Sequence, residues 1–333
     1  MNVALSYLAF ALGALVSLGT SWVLVSRLER VGERFGLSEA LLGMVAALAA
    51  DAPEITAAVS SLLQHEQTIG AGVVLGSNVF NLAALLGLGA VVAGGIALHR
   101  RVVVLGGAIA VFIATVCVVT VADVIPLALG LVLVLVVLVA YAIVLGAHRR
   151  VLTWAPLPPR WTTWLTAAIL EEEVELEGAI HPRRGTRSDV VTAIGALVVV
   201  VVASVVMERG ASTLGRHYGI AEIVIGGIVL AAVTSLPNAV AAVFLARKGR
   251  GAAALSTALN SNNINVAAGL LIPAAFLGLA QSSGSGLLVA GWYLGLTVVA
   301  LVLAYVGRGL HRWAGWLIMA AYVAFVAVLL ATT

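Results

Sequence analysis

The chain is 333 residues long, 62% hydrophobic and only 10% charged, with 18 Lys and Arg against 15 Asp and Glu. A water-soluble domain of this length needs far more surface charge, so the composition excludes one. Repeated apolar runs of about 20 residues predict an all-α polytopic membrane protein, and the short alternating segments of a spanning β-barrel are absent.

Ten spans are predicted, at roughly 3–25, 38–63, 69–96, 102–121, 124–146, 189–207, 220–245, 253–278, 285–306 and 313–331. No Lys or Arg precedes Arg27, so the first is expected to remain as a span and not to be cleaved as a signal peptide. All 18 Lys and Arg fall outside the spans. Sixteen lie in the loops after spans 1, 3, 5, 7 and 9, and two, Arg209 and Arg216, lie on the other side. The positive-inside rule makes the first set of loops cytoplasmic and places both termini outside a plasma or inner membrane. The net charge of +3 reports this topology and points to no nucleic-acid partner; the partners expected are the lipid bilayer and inorganic cations.

Between spans 5 and 6 runs a hydrophilic insert, 147–188, expected to be a cytoplasmic loop. Pro156, Pro158 and Pro159 are expected to break any helix there, and Trp154, Trp161 and Trp164 suit the headgroup level. Glu171, Glu172, Glu173, Glu175 and Glu177 read as a solvated charged turn. Cys117 is alone, and the six histidines lie in loops or at span ends, which disfavours a soft-metal site in the membrane. No resident cofactor is expected. No nucleophile–base pair or nucleotide loop suggests an enzyme.

The polar residues inside the spans are concentrated in two places. Seven of eight asparagines fall in two stretches 184 positions apart, each beside an in-span proline. The first holds Asp51-Ala52-Pro53-Glu54 and Gly76-Ser77-Asn78-Val79-Phe80-Asn81. The second holds Thr234-Ser235-Leu236-Pro237-Asn238 and Asn260-Ser261-Asn262-Asn263-Ile264-Asn265. Aligning Pro53 with Pro237 superimposes Ser77-Asn78 on Ser261-Asn262 and Asn81 on Asn265 without a gap. The ten spans thus divide into two five-helix repeats: 1–146, with its repeated segment at 38–96, and 189–333, with its own at 220–278. An odd number of spans in each makes them inverted, as in alternating-access transporters with a site between the repeats.

Polar side chains in lipid are expensive, so a repeated cluster of them marks a site. Residues three or four apart share a helix face, which groups Asp51 with Glu54, Ser77 with Asn81, and Ser261 with Asn265. Thr234, Ser235 and Asn238 repeat the first group. An in-span proline also disturbs the backbone a turn earlier, which offers the carbonyls at or near Ala47 and Ala231 as further ligands. These are all oxygen ligands, suited to hard cations such as Na⁺ or Ca²⁺. Asp51 and Glu54 are the only carboxylates expected near mid-membrane. Their charge needs a divalent cation, two monovalent cations or two protons, which is a physical basis for antiport. Two carboxylates on one face repel when both are ionised, so the pair can hold a proton when no metal is bound.

Both halves resemble the α-repeats of the cation/calcium exchangers, the family of sodium/calcium and proton/calcium exchangers. Its pattern, a Gly-Thr-Ser-x-Pro-Glu segment followed by Gly-Ser-Asn-x-x-Asn/Asp, corresponds to 49–54 and 76–81, and again to 233–238 and 260–265. The resemblance implies ten helices, outside termini, a cytoplasmic loop between spans 5 and 6, and sliding of spans 1 and 6. It also implies cation-binding roles for Glu54, Ser77, Asn81, Thr234, Ser235, Ser261 and Asn265. The chain departs from the pattern at Asn238, where the family has a second acid, and at Asp51, where it has a Ser.

The function expected is therefore secondary active exchange of Ca²⁺, or a similar hard cation, for Na⁺ or H⁺. Two alternatives stand: an H⁺- or Na⁺-coupled exchanger of a monovalent or other cation without Ca²⁺ transport, and a non-transporting membrane binding or scaffold protein that keeps the exchanger fold.

Overall fold

The computed structural model describes residues 2–35, 39–146, 158–177, 185–249, 251–279 and 283–333. Within them the chain is an all-α assembly with one short two-stranded β ribbon. Helix α1 (Val3–Arg34) is followed by α2 (Glu39–Ala50) and α3 (Ala52–Leu63), which meet at a 52° bend at Asp51. Next come α4 (Gln67–Ala93), strand β1 (Gly95–Ala97), α5 (Arg100–Val121), α6 (Leu127–Gly146) and α7 (Pro159–Glu177). The second half holds α8 (Arg187–Tyr218), then α9 (Glu222–Thr234) and α10 (Leu236–Arg247), bent by 48° at Ser235. It ends with α11 (251–277), α12 (Gly284–Val306), strand β2 (Gly309–His311) and α13 (Arg312–Thr332).

Seven of these helices are long and apolar enough to cross a membrane, and each bent pair makes one more. The remaining predicted span, 253–278, corresponds to α11, which at 1.5 Å per residue reaches about 40 Å. Its four asparagines lower its mean hydropathy below that of its neighbours. Helix α4 is the most enclosed of the spans and forms the axis of the core. It crosses α9 with backbones touching: a Cβ on Gly76 would overlap the Gly227 backbone, so only glycine fits this crossing.

Interactions between loops sort into two ends. At one, Arg27 and Arg30 meet Asp189 at 2.6 and 3.5 Å, and β1 pairs antiparallel with β2, Ile96 opposite Leu310. At the other, Glu66 pairs with Arg216, the Tyr7 hydroxyl donates to that of Tyr218 at 2.9 Å, and Gln67 Nε2 donates to Leu277 O at 3.2 Å. Each pair joins segments that the expected topology puts on one side.

Helices α1 and α8 run past the expected ends of spans 1 and 6, to Arg34 and Tyr218. Glu208 is therefore inside a helix and fully buried, beside Ser60 and Gln64 at the end of α3 and apart from Asp51 and Glu54. Within the insert, Pro159 does not prevent a helix but begins one, because a first-turn position needs no donated N–H. The acidic run 171–177 is the last part of that helix and not a turn. Helix α7 packs on α2, α5 and α11, with Ala168 and Ile169 buried. Trp154 and Pro156 lie outside the described residues.

Candidate cation site

The two bends share one local cause. Pro53 and Pro237 sit in the first turn of α3 and α10, and neither can continue the helix before it. The residues at the bends have nearly the same backbone angles: φ −80°, ψ −4° at Asp51 and φ −83°, ψ −2° at Ser235. After the asparagine clusters, α4 and α11 each loosen into a π-helical stretch, Leu82–Leu88 and Asn265–Leu271. Such stretches recur at functional sites.

These features bring side chains from four helices together in the interior. Asp51, Glu54, Ser77, Asn81, Ser235, Asn238, Ser261 and Asn265 are all 0% exposed, and Thr234 is 1%. Ser261 is the hub. Its hydroxyl donates to Asp51 Oδ1 at 2.6 Å and accepts from Asn81 Nδ2 at 3.0 Å and Asn238 Nδ2 at 3.3 Å. Asn238 Nδ2 also donates to Asp51 Oδ1 at 2.6 Å, and Ser235 Oγ donates to Glu54 Oε1 at 2.5 Å. The two halves are thus joined through their polar groups.

The remaining expected residues are placed differently. The Ser77 hydroxyl donates back to Val74 O at 3.1 Å, and that of Thr234 to Leu230 O at 2.9 Å, so both serve their own helix. Ala47 O and Ala231 O are not freed by the prolines. They accept the N–H groups of Asp51 at 2.8 Å and Ser235 at 3.2 Å, which leaves each carbonyl one further lone pair. A residue pair outside the expected ligands holds the crossing of α4 and α11: Asn78 Nδ2 donates to Asn262 O at 3.2 Å, and Asn262 Nδ2 returns the bond to Asn78 O at 3.0 Å. The 184-residue offset already pairs these two asparagines in the sequence.

Five buried oxygens in this cluster have no hydrogen-bond partner: Asp51 Oδ2, Glu54 Oε2, Asn81 Oδ1, Asn238 Oδ1 and Asn265 Oδ1. Unpaired buried acceptors of this kind are rare. They fit a hard cation, which takes carboxylate and amide oxygens, and two carboxylates match a divalent charge. Among the described residues no three His, Cys, Asp or Glu side chains converge on a metal site; the groups that converge here are two carboxylates with amides and hydroxyls. A cavity of about 220 Å³ reaches this cluster. Ala47, Ala50 and Asn238 line its inner part, while Ser26 and Glu29 line it on α1, toward the end that bears Arg27 and Arg30.

A family model described as sodium/calcium exchanger protein matches the chain twice, over residues 5–148 and 188–331. The chain belongs to the sodium/calcium exchanger family. The two matched segments correspond to its two halves. Among curated relatives it is 28% identical over 145 residues to the sodium/calcium exchanger MaX1 of Methanosarcina acetivorans, covering 44% of this chain and 41% of that one. The chain spans less than half the length of the curated relatives it matches. Its fold resembles that of the sodium-calcium exchanger NCX_Mj, with a TM-score of 0.61 at 20% identity over 98% of this chain and all of the other. It also resembles the H⁺/Ca²⁺ exchanger CAX, with a TM-score of 0.70 at 12% identity over 98% of this chain and 86% of that one.

Proposed function

We propose that this exchanger-family protein is a secondary active antiporter that moves Ca²⁺, or a similar hard cation, against Na⁺ or H⁺. The observation that carries this reading is the set of five unpartnered buried oxygens around Asp51 and Glu54. The carboxylates supply the charge. Asn81, Asn238 and Asn265 supply neutral oxygens, and Ser235 and Ser261 orient the carboxylates from the opposite half. Without a cation the two acids stand together in the interior, which favours occupancy by protons or sodium and so supports exchange over one-way flow.

The protein works in a cell membrane by alternating access of two inverted five-helix halves, 1–146 and 189–333. Its termini are outside and the segment 147–188 is cytoplasmic. The cavity lined by Glu29 and Asn238 then opens toward the cytoplasm. A second reading, an exchanger of monovalent cations without Ca²⁺ transport, draws on Asn238. It stands where repeat symmetry with Glu54 would put an acid, so both carboxylates come from one half.

Titration calorimetry of the purified protein with Ca²⁺, Mg²⁺ and Na⁺, beside Asp51→Asn, separates the two. Saturable Ca²⁺ binding that weakens at least about tenfold in the variant, worth 1.4 kcal/mol, fits the first reading. Na⁺ binding with no Ca²⁺ binding fits the second.

A further inference from the structure

Glu208 of α8 is a fully buried carboxylate that the cation site does not use. Its Oε2 accepts from Ser60 Oγ at 2.8 Å and from Gln64 Nε2 at 2.6 Å, both at the end of α3. Its Oε1 is buried without a hydrogen-bond partner. Among the described residues no ion pair joins Glu208 to a cation. Of the nearest bases along α8, Arg209 is exposed and Arg216 is paired with Glu66, which also accepts from Ser212 Oγ at 2.8 and 2.7 Å.

The other surfaces around this position carry no compensating charge. Helix α1 brings Ser6, Phe10 and Gly13 against α8, and α9 brings Ile225. From α3 and the turn after it come Ser60, Ser61, Gln64, the exposed His65 and the acid Glu66. The second carboxylate makes a negative charge at Glu208 less favourable still. An ionised, unpaired carboxylate taken out of water is penalised by several kcal/mol. A proton on Oε1 removes the charge and leaves both bonds to Oε2 intact. A metal ion suits the place poorly, since its nearest polar neighbours, Ser60 Oγ and Gln64 Nε2, are donors aimed at the carboxylate.

We propose that Glu208 is a second proton-binding site, separate from the Asp51–Glu54 cluster, and that it is protonated while α8 is docked on α3. A ligand shifts a conformational equilibrium only as far as it binds one state better. A proton favours the docked state, because undocking would let an ionised Glu208 be hydrated. Helix α3 also carries Glu54, six residues before Ser60, so the proton at Glu208 and the cation bear on one helix. Acidification therefore holds α8 against α3 and slows exchange. This last consequence rests on the antiport reading, whereas the proton site itself does not.

The test is infrared difference spectroscopy of the reconstituted protein across a pH titration, with Glu208→Gln, Glu208→Asp and Glu54→Gln beside the wild type. The expected result is a protonated-carboxyl carbonyl band in the wild type that is kept in Glu54→Gln, lost in Glu208→Gln and regained at a shifted frequency in Glu208→Asp. The same band in wild type and Glu208→Gln overturns the proposal. Ca²⁺ exchange measured on the same samples is expected to slow at acid pH in the wild type and to lose that acid limb in Glu208→Gln. An acid limb unchanged in Glu208→Gln overturns the coupling. Absence of exchange in every sample, with the band still lost in Glu208→Gln, overturns the antiport reading and leaves the proton site standing.

Discussion

Gly76→Ala should damage this protein without changing any charged or polar side chain. A Cβ there would lie 2.5 Å from Gly227 Cα and 2.6 Å from its carbonyl carbon, and closer still to its oxygen. Ordinary contact begins at 3.4 Å, and every atom concerned is backbone, so α4 and α9 must separate by about 1 Å. Overpacking of this kind costs about 1–3 kcal/mol. The functional effect is larger. Helix α9 leads directly into Ser235, and a 1 Å displacement lengthens the 2.5 Å bond to Glu54 and the 2.6 Å bond from Asn238 to Asp51 to about the limit of a hydrogen bond. Misplacement on that scale lowers a rate by about 100-fold. Gly195→Ala is the control, since nothing lies within 4 Å of a Cβ added there. Thermal unfolding in detergent and Ca²⁺ uptake in proteoliposomes would be measured on both. If Gly76→Ala matched Gly195→Ala in stability and uptake, the close crossing of α4 and α9 would not be what sets the site geometry.

Ser261→Ala removes the hub hydroxyl and its charge-assisted bond to Asp51, a class of interaction worth about 1.5–3 kcal/mol. Apparent cation affinity in calorimetry is expected to fall by about 10- to 100-fold, and an unchanged affinity would place Ser261 outside the cation shell. Ala241→Cys, in a Cys117→Ala background, lines the cavity beside Asn238 and should react with a membrane-impermeant thiol reagent from one side only. That side is the one bearing Arg27 and Arg30, and labelling from the opposite side would reverse the assigned access. Glu29→Gln removes the acid lining the same cavity and is expected to raise the KM for Ca²⁺ when Ca²⁺ is supplied from that side, with little effect from the other.

The helices were legible because lipid leaves the backbone little choice: apolar runs of membrane length must be helical. The site was legible for a related reason. Polar residues in such a chain are conspicuous, and the 184-residue offset matches Asp51 to Ser235 and Glu54 to Asn238, four residues that the fold then bonds crosswise, Ser235 to Glu54 and Asn238 to Asp51. Less legible was anything that depends on where a helix stops. Apolar composition thins out near Val206, but α8 continues for three further turns because packing against α1 and α3 sustains it, and Glu208 was hidden by that. Pro159 was misread because proline disrupts a helix interior yet suits its first turn, and sequence alone did not say which position it held. Ser77 and Thr234 illustrate another limit. Helical spacing places them on the right face, but whether a buried hydroxyl serves a ligand or its own backbone depends on rotamer, and here both bond back one turn.

Radiolabelled Ca²⁺ uptake into proteoliposomes, driven in turn by an imposed Na⁺ gradient and an imposed pH gradient, tests the central claim most directly, with Glu54→Gln as the paired variant. The account predicts uptake under at least one gradient and its loss in Glu54→Gln. No Ca²⁺ uptake under either gradient by folded wild-type protein, or full uptake by Glu54→Gln, would contradict it.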